Sequence, residues 1–124
     1  MSRKTEEPKQ VLVMRRDIDM SLGKQIAQGS HASLGAYFKS QEMDPVSQAA
    51  IEWRENRFTK VVVGVKSLIK LRSVYEAAQA AGLPCVLIKD AGFTEFAEPT
   101  ITCVGIGPAY PEEFIGVTDK LRLL

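Results

Sequence analysis

The side chains best suited to chemistry fall in two short blocks. Residues 23–32 read Gly-Lys-Gln-Ile-Ala-Gln-Gly-Ser-His-Ala, and residues 90–95 read Asp-Ala-Gly-Phe-Thr-Glu. On an α-helix, Lys24, Gln28 and His31 fall within an arc of roughly 60°, with Gly35 among them. Asp90 follows an apolar run and places a carboxylate at a strand end. An ammonium, an imidazole and a carboxylate sharing one cleft can position water and stabilise a developing charge, which describes a hydrolytic site with no metal and no nucleophilic cysteine. Each residue also has a plainer use. Lys24 and Gln28 suit a solvated helix face with His31 at its border, and Asp90 suits an Asx turn before Gly92.

The helix that would carry the first block contains Gly23, Gly29 and Gly35, each costing about 1 kcal/mol relative to alanine in a helix interior. Close approach of another helix, the sheet or a ligand is the expected reason. Leu22, Ile26, Leu34, Tyr37 and Phe38, with Ala27 and Ser33, occupy the remaining arc and are expected to form the core-facing side. Around this helix, residues 1–9 read as a flexible tail ahead of a single domain at 10–124. Residues 11–15 form a strand, Asp19 or Ser21 can cap the helix, and the helix runs to about residue 39.

Asp44-Pro45 reads as a cap and first-turn proline of a second helix that carries Trp53 and ends near residue 56. Residues 61–65 are β-branched enough for a strand buried on both faces. Ser67 caps a helix closed by Gly82, and strands follow at 85–88 and 101–106. Pro111-Glu-Glu opens a last short helix reaching about residue 119. Gly105-Ile-Gly107 lacks the longer glycine pattern and the following Lys-Ser/Thr of a phosphate loop, so a strand-end turn before Pro108 is expected.

Strands alternating with helices indicate an α/β fold, a small sheet covered by helices. In such sheets ligands bind beyond the carboxyl ends of parallel strands. The first strand leads to Lys24 and the third ends at Asp90, so one cleft can hold Lys24, Gln28, His31, Asp90 and Thr94.

Composition narrows the function. The chain has 124 residues, with Lys+Arg 16 against Asp+Glu 15. That length fits one domain with its own core, and the charge balance argues against a polybasic binder. Any contact with nucleic acid must come from a local patch, for which Arg15, Arg16 and Lys24, with Arg3, Lys4 and Lys9, are the candidates. Cys85 and Cys103 sit in apolar runs and read as buried free thiols of a reducing compartment. A single His and the lack of a Cys/His/Asp cluster at ligand spacing argue against a metal site, and no cofactor is implied. No apolar run approaches a membrane span and the first ten residues do not resemble a signal peptide, so a cytoplasmic location is expected.

The ordered set of motifs resembles the peptidyl-tRNA hydrolase type 2 family, known mainly from archaea and eukaryotes, whose members cleave the ester joining a peptide to tRNA. The set comprises an apolar strand ending in Arg-x-Asp, Gly-Lys-x-x-x-Gln-x-Ser-His-Ala at 23–32, Lys-Val-Val-Val at 60–63 and Gly-Leu at 82–83. Asp-Ala-Gly-x-Thr at 90–94 and Gly-Ile-Gly-Pro at 105–108 complete it. The resemblance spans residues 11–124. It implies a mixed four-stranded sheet between helices in a three-layer α/β/α arrangement, often as a homodimer, and hydrolysis of peptidyl-tRNA to free tRNA. It associates Lys24, His31, Asp90 and Thr94 with activity, and Gln28, Thr100 and Thr102 with neighbouring polar positions. Under this resemblance Asp90 orients or deprotonates water directly or through His31. Lys24 faces the oxyanion or the terminal nucleotide's phosphate, and Thr94 bonds the water or Asp90.

One loop departs from the family pattern. Where the family usually has Arg, then Thr-Gln, then Ala-Pro-Gly, this chain has Phe93, Thr94-Glu95 and Ala97-Glu98-Pro99. One positive charge is lost and two negative charges are gained on a loop expected to face a polyanion, which weakens or rearranges RNA contact. Phe93 can instead stack on an unpaired base of the acceptor end, or pack on its own domain. The altered loop keeps a second reading open, a non-catalytic RNA- or protein-binding member of the same fold. The retained Lys24, His31, Asp90 and Thr94 favour the enzyme, and hydrolysis of another small ester or amide is a third reading.

Overall fold

The apolar runs become strands, and the sheet they form fixes where the polar residues meet. The computed structural model describes residues 6–93 and 95–124. Its strands are β1 (Lys9–Arg15), β2 (Lys60–Val65), β3 (Cys85–Asp90), β4 (Thr100–Ala109) and the short β5 (Arg122–Leu123). They make one mixed sheet in the order β3-β4-β1-β2-β5. β1 and β2 are parallel, with Val11 opposite Val61, and β4 runs antiparallel to β1, with Val13 opposite Val104. β3 is antiparallel to β4, so β1, β2 and β3 all present their carboxyl ends at one edge. The expected four strands are all present. The fifth is a two-residue edge on β2, too short to show an alternating pattern.

Three helices cover the sheet, as a three-layer α/β/α fold requires. α3 (Leu68–Ala80) lies on one face, where Leu71, Val74 and Ala78 pack with Val11, Val13, Val63, Val65, Val104 and Ile106. Ser67 caps it, its side chain accepting from the Lys70 amide at 3.0 Å, and Gly82 closes it at φ +75°. α1 (Leu22–Met43) and α2 (Gln48–Glu55) lie on the other face, with Ala32 against Leu12, Met14 and Cys103.

α1 largely reverses the expected orientation, with Ser33 the one buried residue of the expected core-facing set. Its buried residues are Lys24, Gln28, Gly29, Ala32, Ser33, Ala36 and Ser40. Leu22, Ile26, Leu34 and Phe38, expected to face the core, are 74%, 62%, 55% and 55% exposed. The reason is close approach. A side chain at Gly105 on β4 would stand 2.2 Å from the Ala32 carbonyl oxygen, so at that point helix backbone rests on sheet backbone and only small residues fit between them. The approach expected at the helix glycines holds at Gly35, where a Cβ would meet Val86 at 3.2 Å, and more loosely at Gly29, beside Leu12 and Met14. Gly23 faces open space.

Several boundaries also move. Asp44 ends α1 instead of opening α2: its amide donates to the Ser40 carbonyl and its carboxylate accepts from the Val46 amide, while Ser47 caps α2. β2 is not buried on both faces, because α1 leaves Val62 partly uncovered beside an open groove. Gly105-Ile-Gly107-Pro108 lies within β4 and is not a turn beyond it, since pairing with β1 continues to Ala109. The last helix is a single 3₁₀ turn, Pro111–Phe114. Of the expected tail, residues 1–5 lie outside the described residues, Pro8 is buried and Lys9 begins β1.

Candidate active site

The two polar blocks meet at the carboxyl edge of the sheet. Ser21 has extended backbone and caps α1, its hydroxyl accepting from the Lys24 amide at 3.1 Å. That cap starts the helix so that Lys24, in its first turn, faces the end of β3. There the Lys24 ammonium donates to Asp90 Oδ1 in an ion pair whose side chains are only 6% and 5% exposed. Asp90 Oδ2 accepts from the Gly92 amide at 3.0 Å, so the plainer Asx-turn use of Asp90 is realised at the same time and fixes the carboxylate's orientation.

Burying two charges costs more than it returns unless they are paired and further hydrogen-bonded. An ion pair kept at a sheet edge is therefore a structural expense with a functional reading.

Gly92 makes this turn possible. Its φ is +92°, and a Cβ there would stand 2.8 Å from the Glu98 carbonyl carbon, so the 91–99 loop crosses itself where only glycine fits. Beyond the crossing, the Glu95 carboxylate accepts from the Ser21 amide at 3.1 Å and from the Ser21 hydroxyl. These bonds from Ser21 hold the Glu95 carboxyl below its ordinary range. Phe96 follows, with its ring centroid 5.5 Å from the Lys24 ammonium, within cation–π range. Neither residue was among the expected site residues. Phe96 has no periodic partner, and the Glu95–Ser21 contact joins positions far apart in the chain, so no local pattern signals either one.

The other expected residues divide by depth. Gln28, one turn beyond Lys24, is buried and accepts a hydrogen bond from the fully buried Thr102 hydroxyl at 2.5 Å, while its backbone carbonyl accepts from the Cys103 thiol at 3.3 Å. These contacts link α1 to β4 beneath the ion pair. Thr100, opposite Asp90 in register, donates to the Glu98 carbonyl at 2.9 Å. His31 is exposed, about 10 Å along the helix axis from Lys24. It shares a helix face with Gly35, which rests on Val86, and so lies on the β3 side of α1.

Arg15 is largely committed within the fold. Its guanidinium bonds both Asp17 carboxylate oxygens, at 3.0 and 2.6 Å, and donates to the Ile101 carbonyl at 3.0 Å. That pairing is the main reason the Asp17 carboxyl lies below its ordinary value. Arg16 is exposed, its stem lying over Gly64. Phe93 is 92% exposed and free of the domain's core. Thr94 lies outside the described residues. Among the described residues no group of three His, Cys, Asp or Glu side chains could hold a metal ion.

An open apolar groove of about 1060 Å³ lies on the α1 face of the sheet. Leu22, Ile26 and Leu34 of α1, Trp53 of α2, Phe58, and Leu12, Met14 and Val62 of the sheet line it. The Lys60 ammonium sits 3.3 Å from the Phe58 ring centroid, and its partial burial lowers the Lys60 pKa.

Comparison with known proteins accounts for the whole ordered pattern. Residues 8–124 match the model of the family described as peptidyl-tRNA hydrolase PTH2. A peptidyl-tRNA hydrolase of Methanopyrus kandleri is 44% identical over 117 residues, covering 94% of this chain and 97% of that protein. Relatives of the same name from Methanocaldococcus jannaschii and Sulfurisphaera tokodaii are 40% and 39% identical, each covering 94% of this chain and 99% and 98% of their own. With the Gly-Lys and Asp-Ala-Gly motifs meeting at one sheet edge and the match running through nearly the full length, the chain belongs to the peptidyl-tRNA hydrolase PTH2 family.

Proposed function

We propose that this protein hydrolyses the ester between a peptide, or an N-blocked amino acid, and tRNA, releasing free tRNA, and that the Lys24–Asp90 pair carries the reaction. The supporting observation is that pair itself: two charges buried against each other at the carboxyl edge of the sheet, in a chain of this family. An aminoacyl ester is already activated, so hydrolysis needs mainly a placed water and stabilisation of the charge that develops.

A carboxylate offers about four acceptor positions, so a water can join Lys24 and Gly92 around Asp90. That water attacks the ester carbonyl and passes a proton to Asp90. The carbonyl oxygen becomes an oxyanion beside the Lys24 ammonium. The bond to the ribose oxygen then breaks, and that oxygen takes back the proton held on Asp90, which leaves free tRNA and restores the carboxylate. The burial of Lys24 favours the oxyanion role over an outer phosphate, and the distance of His31 favours proton transfer to Asp90 directly. Thr94 completes this set by bonding the water or Asp90. His31 serves the substrate from the outer face, where it is exposed.

Gln28 and Thr102 hold α1 against β4 so that Lys24 keeps its place, and Thr100 fixes the far end of the loop. Arg16 and the exposed Phe93 are the acceptor-end contacts, one for phosphate and one for stacking, with Arg15 as a braced charge behind them.

The chain acts in the cytoplasm as a homodimer, by the same reading. Support for the dimer is the open apolar groove, whose rim carries Arg54, Lys60 and Glu55. A rim with both signs of charge suits a two-fold interface in which the same patch meets itself. No described helix is long and apolar enough to cross a membrane.

The test is cleavage of N-blocked aminoacyl-tRNA by the purified protein against spontaneous hydrolysis. Asp90→Asn and Lys24→Ala should each lower kcat by about a hundredfold or more. A wild-type protein that binds tRNA yet only matches the blank would replace the enzyme with a binding module.

A further inference from the structure

The loop that departs from the family pattern is fastened at two points. One is the bond from the Gly92 amide to Asp90, where the loop passes close to Glu98, and the other is the pair of bonds from Ser21 to Glu95. Ser21 is also the cap whose hydroxyl receives the Lys24 amide, so the loop is tied to the residue that starts the Lys24 helix. Phe96, next to the tie, lies against the Lys24 ammonium. The ion pair is buried although it sits at the sheet edge.

We infer that Glu95 is a positioning residue: by binding the cap of α1 it holds the loop across the Lys24–Asp90 pair, with Phe96 against the Lys24 ammonium. The inference rests on the hydrolase reading of that pair. It also gives the acidic side chain of this loop a structural use, because its carboxylate accepts from the Ser21 amide and hydroxyl. Glutamine at this position would keep a tie, its carbonyl oxygen accepting from the Ser21 amide and its amide donating to the hydroxyl, without the charge.

Glu95→Ala, Glu95→Gln and Ser21→Ala would be compared with wild type in steady-state cleavage of N-blocked aminoacyl-tRNA, melting temperature and hydrogen exchange of the Ser21 amide. Misplacing a catalytic group slightly costs up to about a hundredfold, so Glu95→Ala should lower kcat by about tenfold to a hundredfold. Its melting temperature should stay near wild type, because the substituted side chain is exposed, and its Ser21 amide should exchange faster. Glu95→Gln should restore most of kcat and lower KM, since a negative charge facing RNA is gone. Ser21→Ala should fall between the two.

Wild-type kcat in Glu95→Ala, equal loss in Glu95→Gln and Glu95→Ala, or unchanged Ser21 exchange would each overturn the inference. Absence of cleavage by wild type would instead sink the hydrolase reading, and the exchange comparison would still decide whether Glu95 holds the loop.

Discussion

The two long faces of α1 differ in the opposite sense from an ordinary amphipathic helix. The face turned to the sheet carries Lys24, Gln28, Gly29, Ala32, Ser33, Ala36 and Ser40, and the face turned outward carries Leu22, Ile26, Leu34 and Phe38. Hydrophobic burial alone would turn the helix the other way. What decides the orientation is distance at the middle of the contact: with Gly105 beneath Ala32, only small groups fit there, and the longer Lys24 and Gln28 lie in the helix's first turns, away from that point. Polar groups left in that gap must then be paired, and they are: Ser33 with Gln10, Gln28 with Thr102, and Lys24 with Asp90. The inner face is therefore a paired polar contact that ends in the Lys24–Asp90 ion pair. The outer face leaves its large apolar side chains exposed.

Breaking the inner face should cost most. Removing one member of a buried ion pair strands the other, so Lys24→Ala should lower unfolding free energy by about 3–5 kcal/mol, measured by urea titration. A near-zero change would mean that water reaches Asp90 freely. Gly105→Ala sharpens the distance argument without touching a charge. Its methyl must push the Ala32 backbone away, an overpacking that should cost about 1–3 kcal/mol. A stable Gly105→Ala protein with unaltered activity would show that the close approach is not what turns the helix.

The outer face should behave in the converse way. Ile26→Asp with Leu34→Asp should leave each chain's fold and urea slope intact, because both residues are exposed within one chain. Sedimentation should fall from a dimer to the 13.7 kDa of a single chain. A wild-type protein that sediments as a monomer would remove the homodimer and leave the groove for another partner.

How much of this could be read from the chain differs between the two faces. Strand runs, the Ser21 and Ser67 caps and the closing Gly82 are local signals, and they placed the layers well. The approach of Asp90 to Lys24 was also legible, because both follow strands whose carboxyl ends share an edge. The side of α1 that faces the core was not. Helical periodicity reports which residues share a face, but the choice between faces was made by Gly105, distant in sequence. Val62 was misread for the same reason: a β-branched run looks fully buried unless one knows that α1 leaves the β2 side of the sheet open. Glu95 was visible only as an unwelcome charge, since its partner lies in another element.

The thiol beneath the inner face offers the finest probe of the contrast. Cys103 lies under α1, its thiol donating to the Gln28 carbonyl, and burial pushes its pKa from 9.0 to about 11. Burial raises the Cys85 thiol as well. Between about pH 9 and 11 an unfolded chain has released the Cys103 proton and the folded chain has not, so the folded state binds more protons and stability falls as pH rises through that window. At pH 8 both native thiols should resist alkylation, because the reactive thiolate is scarce and access is closed. A cysteine placed outward by Leu34→Cys should react at once in the separated chain and slowly in the dimer. Rapid labelling of Cys103 in the folded protein would mean that α1 lifts from the sheet, and the paired polar face could not then hold Lys24 in place.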